Sequence, residues 1–273
     1  MNYYFQKTYC ILLIFFLSLK YETVLAQNRI IGGSITTIKR FPHMLRLQAG
    51  IRGSNLVSTC GASIIGKEWG LTAAHCFDNP KTDYNKISVL AGTTDIKNLA
   101  RTARRHKVIR VIRNPYYVKS NDKRRIGGDI AVIKVNPPFT YNNVIKPIKL
   151  PQRGLALKTN PATISGWGHT KPGGPGSNKL RAVSVPKVDL KKCRKHYLKG
   201  NIKLKEGEIC YGYNKGANVR DKCQGDSGGP LINADKVELG LVSWGVECGT
   251  KGYPGVYTDV LYFRNWIKQQ TGI

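Results

Sequence analysis

The stretch DKCQGDSGGP, residues 221–230, is the segment around which the rest of the chain is organised. Its serine, Ser227, lies among glycines and carboxylates, a composition typical of a tight loop and not of a strand or helix interior. Glycines on both sides of a serine let the backbone approach a bound carbonyl and leave backbone N–H groups unshielded, as an oxyanion site requires. Most Gly-Asp-Ser triplets are ordinary turns, so a catalytic interpretation requires a base and an orienting acid elsewhere.

Two other segments supply such groups. Residues 72–76, TAAHC, follow a strand-like apolar run and carry His75, and residues 127–133, GGDIAVI, place Asp129 at the start of a buried strand. The chain order His, Asp, Ser is one of the three known for a Ser-His-Asp triad. On these three segments the sequence resembles the chymotrypsin/trypsin family of serine proteases, from Ile30 to the C-terminus.

The resemblance implies a role for each residue of the site. Ser227 would be the nucleophile, His75 the general base, and Asp129 the group that orients His75 and stabilises its charged form. The backbone N–H groups of Gly225 and Ser227 would bind the developing oxyanion. Each residue taken alone has an ordinary interpretation, as a satisfied polar residue, a strand-end cap or a turn. The three segments in the family's order favour the catalytic one.

Many short β-branched or alternating runs, separated by Gly, Pro and Asn turns, predict an all-β chain. The predicted strands are residues 44–47, 63–65, 87–91, 108–112, 130–135, 162–165, 182–188, 237–244 and 255–260. Apolar side chains near one face predict a single helix over residues 260–270. The resemblance implies two packed six-stranded antiparallel Greek-key barrels followed by this C-terminal helix.

The first 29 of the 273 residues have features of a leader. A lysine, an apolar run too short to span a bilayer and small residues before Gln27 predict a signal peptide over residues 1–26 and a secreted protein without a membrane anchor. Residues 27–29 would form a short activation peptide and residues 30–273 the protease domain. The resemblance implies that cleavage after Arg29 would free the amino group of Ile30. This group would then pair with the carboxylate of Asp226.

Removal of the leader leaves six cysteines, an even number that in an exported chain indicates three disulfides. Six cysteines allow fifteen pairings, and spacing alone does not choose among them. The resemblance implies the following bridges: Cys60–Cys76, Cys193–Cys210 and Cys223–Cys248. No C-x-x-C pair supports zinc, and the loop 93–107 lacks the glutamates with which vertebrate trypsins hold calcium. We therefore expect neither a metal nor another cofactor.

Specificity depends on the segments that match the family's substrate pocket. Asp221 corresponds to the base of that pocket, where a buried carboxylate selects Arg or Lys before the scissile bond. Ser243, Trp244, Gly245 and Gly255 match the pocket walls. These residues predict cleavage after Arg or Lys.

Lys222 departs from this pattern, because the family usually has a small Ser or Ala there. A Lys222 side chain that points inward could neutralise Asp221 and mimic a bound substrate lysine. One that points toward Glu247 would leave the pocket open. The sequence leaves both orientations open.

The formal charge of +28, from 44 basic and 16 acidic residues, favours polyanionic partners or acidic substrates. Basic residues are concentrated in the regions 101–125 and 191–199. A sulfated extracellular polyanion fits the predicted compartment better than nucleic acid, for which no recognition motif is present. We expect a monomer that acts on a protein or peptide. The competing hypothesis is a catalytically silent homologue that binds polyanions or proteins.

The remaining histidines lack a catalytic context, and we expect His43, His106, His169 and His196 to be surface residues.

Overall fold

The computed structural model describes residues 33–117, 127–212 and 219–273, and within these ranges the chain is almost entirely antiparallel β-sheet. The strands are β1 (Ser34–Ile35), β2 (Met44–Ile51), β3 (Val57–Ile64), β4 (Trp69–Thr72), β5 (Thr82–Ala91), β6 (Arg104–Arg113), β7 (Ala131–Asn136), β8 (Ala162–Gly166), β9 (Arg181–Val185), β10 (Lys187–Val188), β11 (Glu208–Tyr211), β12 (Pro230–Ile232), β13 (Glu238–Trp244) and β14 (Gly255–Asp259). The helices are α1 (Leu190–Leu198) and α2 (Arg264–Thr271), and a 3₁₀ turn covers Ala74–Phe77. The all-β prediction is confirmed.

Strands β2 to β7 form a closed six-stranded barrel in the order β2-β3-β4-β7-β6-β5. Side chains alternate between the two faces of a strand, and the inward set here is apolar. Leu45, Leu47, Leu71, Val89 and Val132 are buried in this core. The barrel therefore closes around the β-branched and leucine positions from which its strands were predicted.

The second half of the chain forms an eight-stranded antiparallel sheet in the order β1-β9-β8-β12-β13-β14-β11-β10. Its two edge strands, β1 and β10, contain only two residues each, so six strands make up the body of the sheet. Ile164, Leu231 and Val242 belong to its buried core. This sheet corresponds to the second barrel of the predicted architecture.

Helix α1 was not predicted, because four Lys or Arg residues interrupt the apolar positions of its nine-residue sequence. The Asp189 side chain caps it by accepting a hydrogen bond from the Lys192 N–H, 3.0 Å from Oδ1. Only Cys193 and Tyr197 are buried, and their spacing of four residues places them on one face. The helix is thus held by a cap, a disulfide and one tyrosine.

Helix α2 begins four residues later than predicted. The carboxylate of Asp259 accepts a hydrogen bond from the Leu261 N–H, which holds the preceding segment in a turn. The helix itself starts at Arg264 and ends where Gly272 adopts a left-handed conformation with φ of 77°.

The prediction that all four other histidines are surface residues was wrong for His43 and His106, which are 3% and 4% exposed. Burial, with a smaller contribution from Lys236, lowers the pKa of His43 to about 3. His106 points inward between the exposed Arg105 and Lys107 of β6, and its Nδ1 lies 2.7 Å from the Pro137 carbonyl oxygen. Strand alternation was the available signal for His106.

The two β-sheets meet beside the Ser227 loop. The Gly61 N–H of β3 donates to the Ser227 carbonyl at 2.8 Å, and the Gly228 N–H donates to the Val242 carbonyl at 2.7 Å. The loop therefore bridges the barrel and the second sheet. Among the helices of the described ranges, none is long and apolar enough to span a membrane.

Candidate active site

His75 and Asp129 come together because β4 and β7 are paired. Thr72 at the end of β4 lies opposite Ala131 at the start of β7, so the residues that flank these two ends are neighbours. His75 lies on the 3₁₀ turn that follows β4. Its Nδ1 is 2.7 Å from Asp129 Oδ2, and its backbone N–H donates to Asp129 Oδ1 at 2.9 Å.

The second sheet adds further contacts to Asp129. The Ser243 hydroxyl donates to Asp129 Oδ2 at 2.5 Å, and the Thr258 hydroxyl donates to the Asp129 carbonyl at 2.8 Å. Ser243 was predicted as a wall of the substrate pocket, whereas its hydroxyl faces this carboxylate. Its contact with Asp129 is a role that the strand pattern could not reveal.

These contacts control the ionisation of the pair. Burial favours the neutral forms of both groups, but their mutual attraction and hydrogen bonds outweigh it. The pKa of Asp129 is therefore lowered, and the pKa of His75 is raised. The Asp129 side chain is 2% exposed and that of His75 is 28% exposed, so the imidazole has a side open to solvent.

The Ser227 loop packs against the segment that carries His75. A methyl group at Gly228, where φ is 75°, would lie 2.7 Å from the Gly61 carbonyl oxygen and 2.8 Å from the Ala73 nitrogen. Only glycine tolerates both this backbone conformation and this close approach. Gly225, with φ of 90°, makes the turn on the other side of the serine.

Ser227 and His75 both adjoin the Cys60–Cys76 disulfide. Cys76 Sγ lies 3.7 Å from the Ser227 carbonyl oxygen, and the two sulfurs lie within 4.8 Å of a His75 ring nitrogen. No hydrogen bond joins the Ser227 hydroxyl to His75 in the part of the chain that the structure describes. Because the sulfurs are bonded to each other, this cluster offers no thiolates to a metal.

The two predicted oxyanion-hole donors are available to a ligand. The N–H groups of Gly225 and Ser227 have no hydrogen-bond acceptor among residues 33–117, 127–212 and 219–273. A cleft of about 280 Å³ adjoins Gly225 and is also lined by Arg46, Trp167 and His169. This cleft could hold the part of a peptide that extends past the reacting carbonyl.

All three predicted disulfides are present: Cys60–Cys76, Cys193–Cys210 and Cys223–Cys248. They join β3 to the His75 turn, α1 to β11, and the Ser227 loop to the segment after β13.

Asp226 is fully buried, and only backbone N–H groups donate to it within the described ranges. The donors are Gly168 at 2.9 Å and Cys223 at 3.0 Å. Burial raises the pKa of Asp226 to about 6, because two neutral donors compensate its charge incompletely. Arg29 and Ile30, its predicted activation partners, lie outside the described residues.

Asp221, the predicted base of the substrate pocket, is a buried residue. Its carboxylate accepts hydrogen bonds from the N–H groups of Lys222 and Gly249, each at 2.9 Å. A methyl group at Gly255 would lie 2.8 Å from Asp221 Oδ1, so a larger residue at that position would crowd the carboxylate. The structure thus brings Asp221 and Gly255 together.

Lys222 points inward, which resolves the two orientations left open by the sequence. The residue is only 8% exposed, and a methyl group at Gly245 would lie 2.8 Å from Lys222 Nζ. The structure records no ion pair between Lys222 and Glu247, both of which lie in its described ranges. Lys222 therefore lies against the predicted pocket wall at Gly245.

Glu208 is a residue of this region that the sequence did not single out. It is buried on β11, and its Oε1 accepts a hydrogen bond from Trp244 Nε1 at 2.8 Å. Burial raises the pKa of Glu208 to about 7. Its contact holds the indole of Trp244, a predicted wall residue, and joins strands far apart in sequence, so no local pattern could have found it.

The basic residues of the described surface form two groups, one before and along β6 and one on and just after α1. All of the following are exposed: Arg101, Arg104, Arg105, Lys107, Arg110, Arg113, Lys191, Lys192, Arg194, Lys195 and Lys199. The remaining basic residues of the region 101–125 lie outside the described ranges.

Comparisons with known proteins identify the family of the chain. The sequence model of the Trypsin family matches residues 30–267. The chain is 34% identical over 247 residues to Trypsin-1 of Astacus astacus, covering 88% of this chain and 98% of the relative. It is 33% identical over 250 residues to Trypsin 5G1 of Aedes aegypti, covering 91% and 87%. It is also 34% identical over 247 residues to the venom peptide isomerase heavy chain of Agelenopsis aperta, covering 88% and 99%. The chain belongs to the trypsin family of serine proteases and their relatives.

Proposed function

We propose that the protein is a secreted serine endopeptidase in which Ser227, His75 and Asp129 form the catalytic triad. The observation that carries the proposal is the pair of contacts between His75 and Asp129, at 2.7 and 2.9 Å, beside a serine loop with two available N–H donors. An imidazole held in one orientation by a buried carboxylate is the arrangement that general-base catalysis requires.

In the proposed reaction, the Ser227 hydroxyl attacks the carbonyl carbon of the scissile bond while His75 Nε2 accepts its proton. The resulting oxyanion is held by the N–H groups of Gly225 and Ser227, each such donor being worth roughly 3–4 kcal/mol. His75 then gives the proton to the leaving amine as the C–N bond breaks. Water repeats the sequence on the acyl-enzyme and releases the carboxylic acid.

The test is covalent labelling of the protein after cleavage at Arg29. A fluorophosphonate should label Ser227, and Ser227→Ala should abolish labelling and peptide hydrolysis. His75→Ala should also abolish labelling, because the hydroxyl would then have no base. Absence of labelling in correctly processed, folded protein would instead favour the silent homologue.

Activation after Arg29 is supported by the environment of Asp226. A buried carboxylate with two neutral donors gains substantially from an incoming ammonium group, and Ile30 would supply one. Cleaved protein should therefore be more active than the precursor. Acetylation of the new Ile30 amino group should return the activity to the precursor level, and activity that survives this treatment would contradict the mechanism.

We also propose that an extracellular polyanion binds the basic surface, with the exposed groups along β6 and α1 as candidates. The support is their exposure together with the large positive charge of the chain. The protein should elute from heparin at higher salt than from a plain sulfonate resin. Lys107→Glu with Arg110→Glu should lower that difference, and the matched pair Lys191→Glu with Lys192→Glu tests α1. Equal elution from both resins would exclude specific recognition.

Cleavage after Arg or Lys was predicted from Asp221. It requires the Asp221 carboxylate to face an open pocket. The contact between Lys222 and Gly245 argues against an open pocket.

A further inference from the structure

Lys222 lies across the space that a substrate side chain would occupy. Asp221 and Lys222 follow one another on one side of the predicted pocket, and Gly245, just after β13, lies on another. A methyl group at Gly245 would lie 2.8 Å from Lys222 Nζ and 3.6 Å from Cε. The end of the lysine side chain therefore reaches the Gly245 wall, which shortens the pocket above Asp221.

The charge of this lysine is poorly compensated. Among the residues that the structure describes, no carboxylate lies within 4.0 Å of Lys222 Nζ. Burial lowers the pKa of Lys222, and the more distant Asp221 and Asp226 only partly oppose this effect. A largely buried ammonium group of this kind is stabilised by a bound carboxylate that reaches it with good hydrogen-bond geometry.

The Asp221 carboxylate, by contrast, is buried and accepts hydrogen bonds from the backbone N–H groups of Lys222 and Gly249. A substrate Arg or Lys would meet the Lys222 side chain before it could reach Asp221. It would also bring a second positive charge next to the first, in surroundings that screen charge poorly. A short side chain that ends in a carboxylate would stop at Lys222 and be attracted by its ammonium group, with the more distant Asp221 and Asp226 opposing this attraction.

We propose that Lys222 determines the specificity of the pocket and directs cleavage after Asp or Glu instead of Arg or Lys. This proposal rests on the proposed endopeptidase activity. Lys222 Nζ would form an ion pair with the substrate carboxylate at a shortened pocket floor, with Gly245 leaving room beside it. The substrate class is thus peptides with an acidic residue before the scissile bond.

The experiment compares processed wild type, Lys222→Ser and Lys222→Met on peptides that differ only in that residue, which is Asp, Glu, Ala, Lys or Arg. Wild type should have a kcat/KM about 100-fold higher for Asp or Glu than for Lys or Arg, the size expected for one hydrogen bond to a charged group. Lys222→Ser should reverse this preference by uncovering Asp221. Lys222→Met keeps the length without the charge, and should lose the acidic preference without gaining cleavage after Arg.

Two controls separate this proposal from the proposed function. p-Nitrophenyl acetate has an acyl group too small to use the pocket, so the rate of its acylation burst gives the reactivity of Ser227 in each variant. The peptide rates of each variant are divided by this burst rate before they are compared. If no variant is acylated, the endopeptidase proposal fails. The pocket is then tested by binding of p-aminobenzamidine to Ser227→Ala with and without Lys222→Ser, where only the double variant should bind.

Wild type that cleaves after Arg as fast as Lys222→Ser, or after Ala faster than after Glu, would overturn the inference. So would tight binding of p-aminobenzamidine to the protein with Lys222 intact.

Discussion

Asp129 and Lys222 are both buried charged side chains of the candidate active site, and they differ in their partners. The Asp129 carboxylate is contacted by the His75 ring, the His75 backbone N–H and the Ser243 hydroxyl. The Lys222 ammonium has no carboxylate within 4.0 Å among the described residues. Burial alone therefore does not determine how well a charged side chain is stabilised. The groups around it determine whether its charge is balanced within the folded protein or only by a bound ligand.

The largest expected effect comes from breaking the Asp129 contacts. Asp129→Asn should lower kcat about 10⁴-fold, the magnitude known for a triad of this kind, because the amide no longer holds the required tautomer of His75. The mutation should also lower the pKa of His75, since the carboxylate now raises it. The wild-type rate should rise with pH as His75 becomes neutral, and the variant's inflection should lie at lower pH. Equal kcat in the two proteins would contradict the triad.

A third buried ionisable side chain, Glu238, extends the comparison to pH dependence. It receives one hydrogen bond, from the Ser63 hydroxyl at 2.7 Å, and its Oε1 has none within the described ranges. Burial raises the pKa of Glu238 from 4.5 to about 8. The folded state therefore binds the proton more tightly than the unfolded state, and stability is lost as pH rises through this window.

The loss attributable to Glu238 should be roughly 4 kcal/mol across that window, by the equivalence of pKa shift and free energy. Urea unfolding of Ser227→Ala protein, which cannot digest itself under the proposed mechanism, measures it. Subtraction of the same series for Ser227→Ala with Glu238→Gln removes the contributions of other groups such as Glu208 and Asp226. Parallel curves for the two proteins would show that Glu238 does not titrate in this range.

Lys222→Met tests how much the buried charge of Lys222 lowers the free energy of unfolding. Replacing a buried, poorly compensated charge by an apolar side chain of similar length should raise the free energy of unfolding by about 1–3 kcal/mol. Urea unfolding in the Ser227→Ala background gives the value. Glu247→Gln, at an exposed position nearby, serves as a control that should change stability little. A destabilised Lys222→Met would mean that the ammonium is better compensated than its contacts indicate.

The smallest effect is expected for Ser243→Ala, which removes one hydrogen bond and leaves His75 beside Asp129. Hydrogen bonds to charged groups contribute about 1.5–3 kcal/mol. A water molecule that hydrogen-bonds to Asp129 in place of the Ser243 hydroxyl should recover part of this contribution. We therefore expect kcat to fall about 10-fold, much less than for Asp129→Asn. Ser243→Thr, which restores a hydroxyl, should recover part of the rate if the hydrogen bond matters.

Much of the fold and the chemistry could be predicted because the signals are local. Runs of β-branched residues indicated nine strand segments, and the His75 and Asp129 segments were found from a few neighbouring residues each. Helix α1 was missed because its apolar face is short, consists of Leu190, Cys193 and Tyr197, and is stabilised by a disulfide and a cap that depend on tertiary structure or a single residue. The buried His43 was missed because it lies in a segment without a strand pattern.

Glu208, Glu238 and the second role of Ser243 were missed for a different reason. Each makes its contact with a residue at least 36 positions away in the chain, and a carboxyl group on a strand is usually solvated. Only the pairing of distant strands buries these groups and gives them partners.

The sequence by itself determined the family, the all-β architecture and the segments that carry the serine, histidine and aspartate, because each is written in a short run of residues. The direction of the Lys222 side chain was decided only by the tertiary structure. A lysine has a long flexible stem, so its direction depends on the space and charge around it, and here the glycine at position 245 leaves the space that its ammonium group approaches.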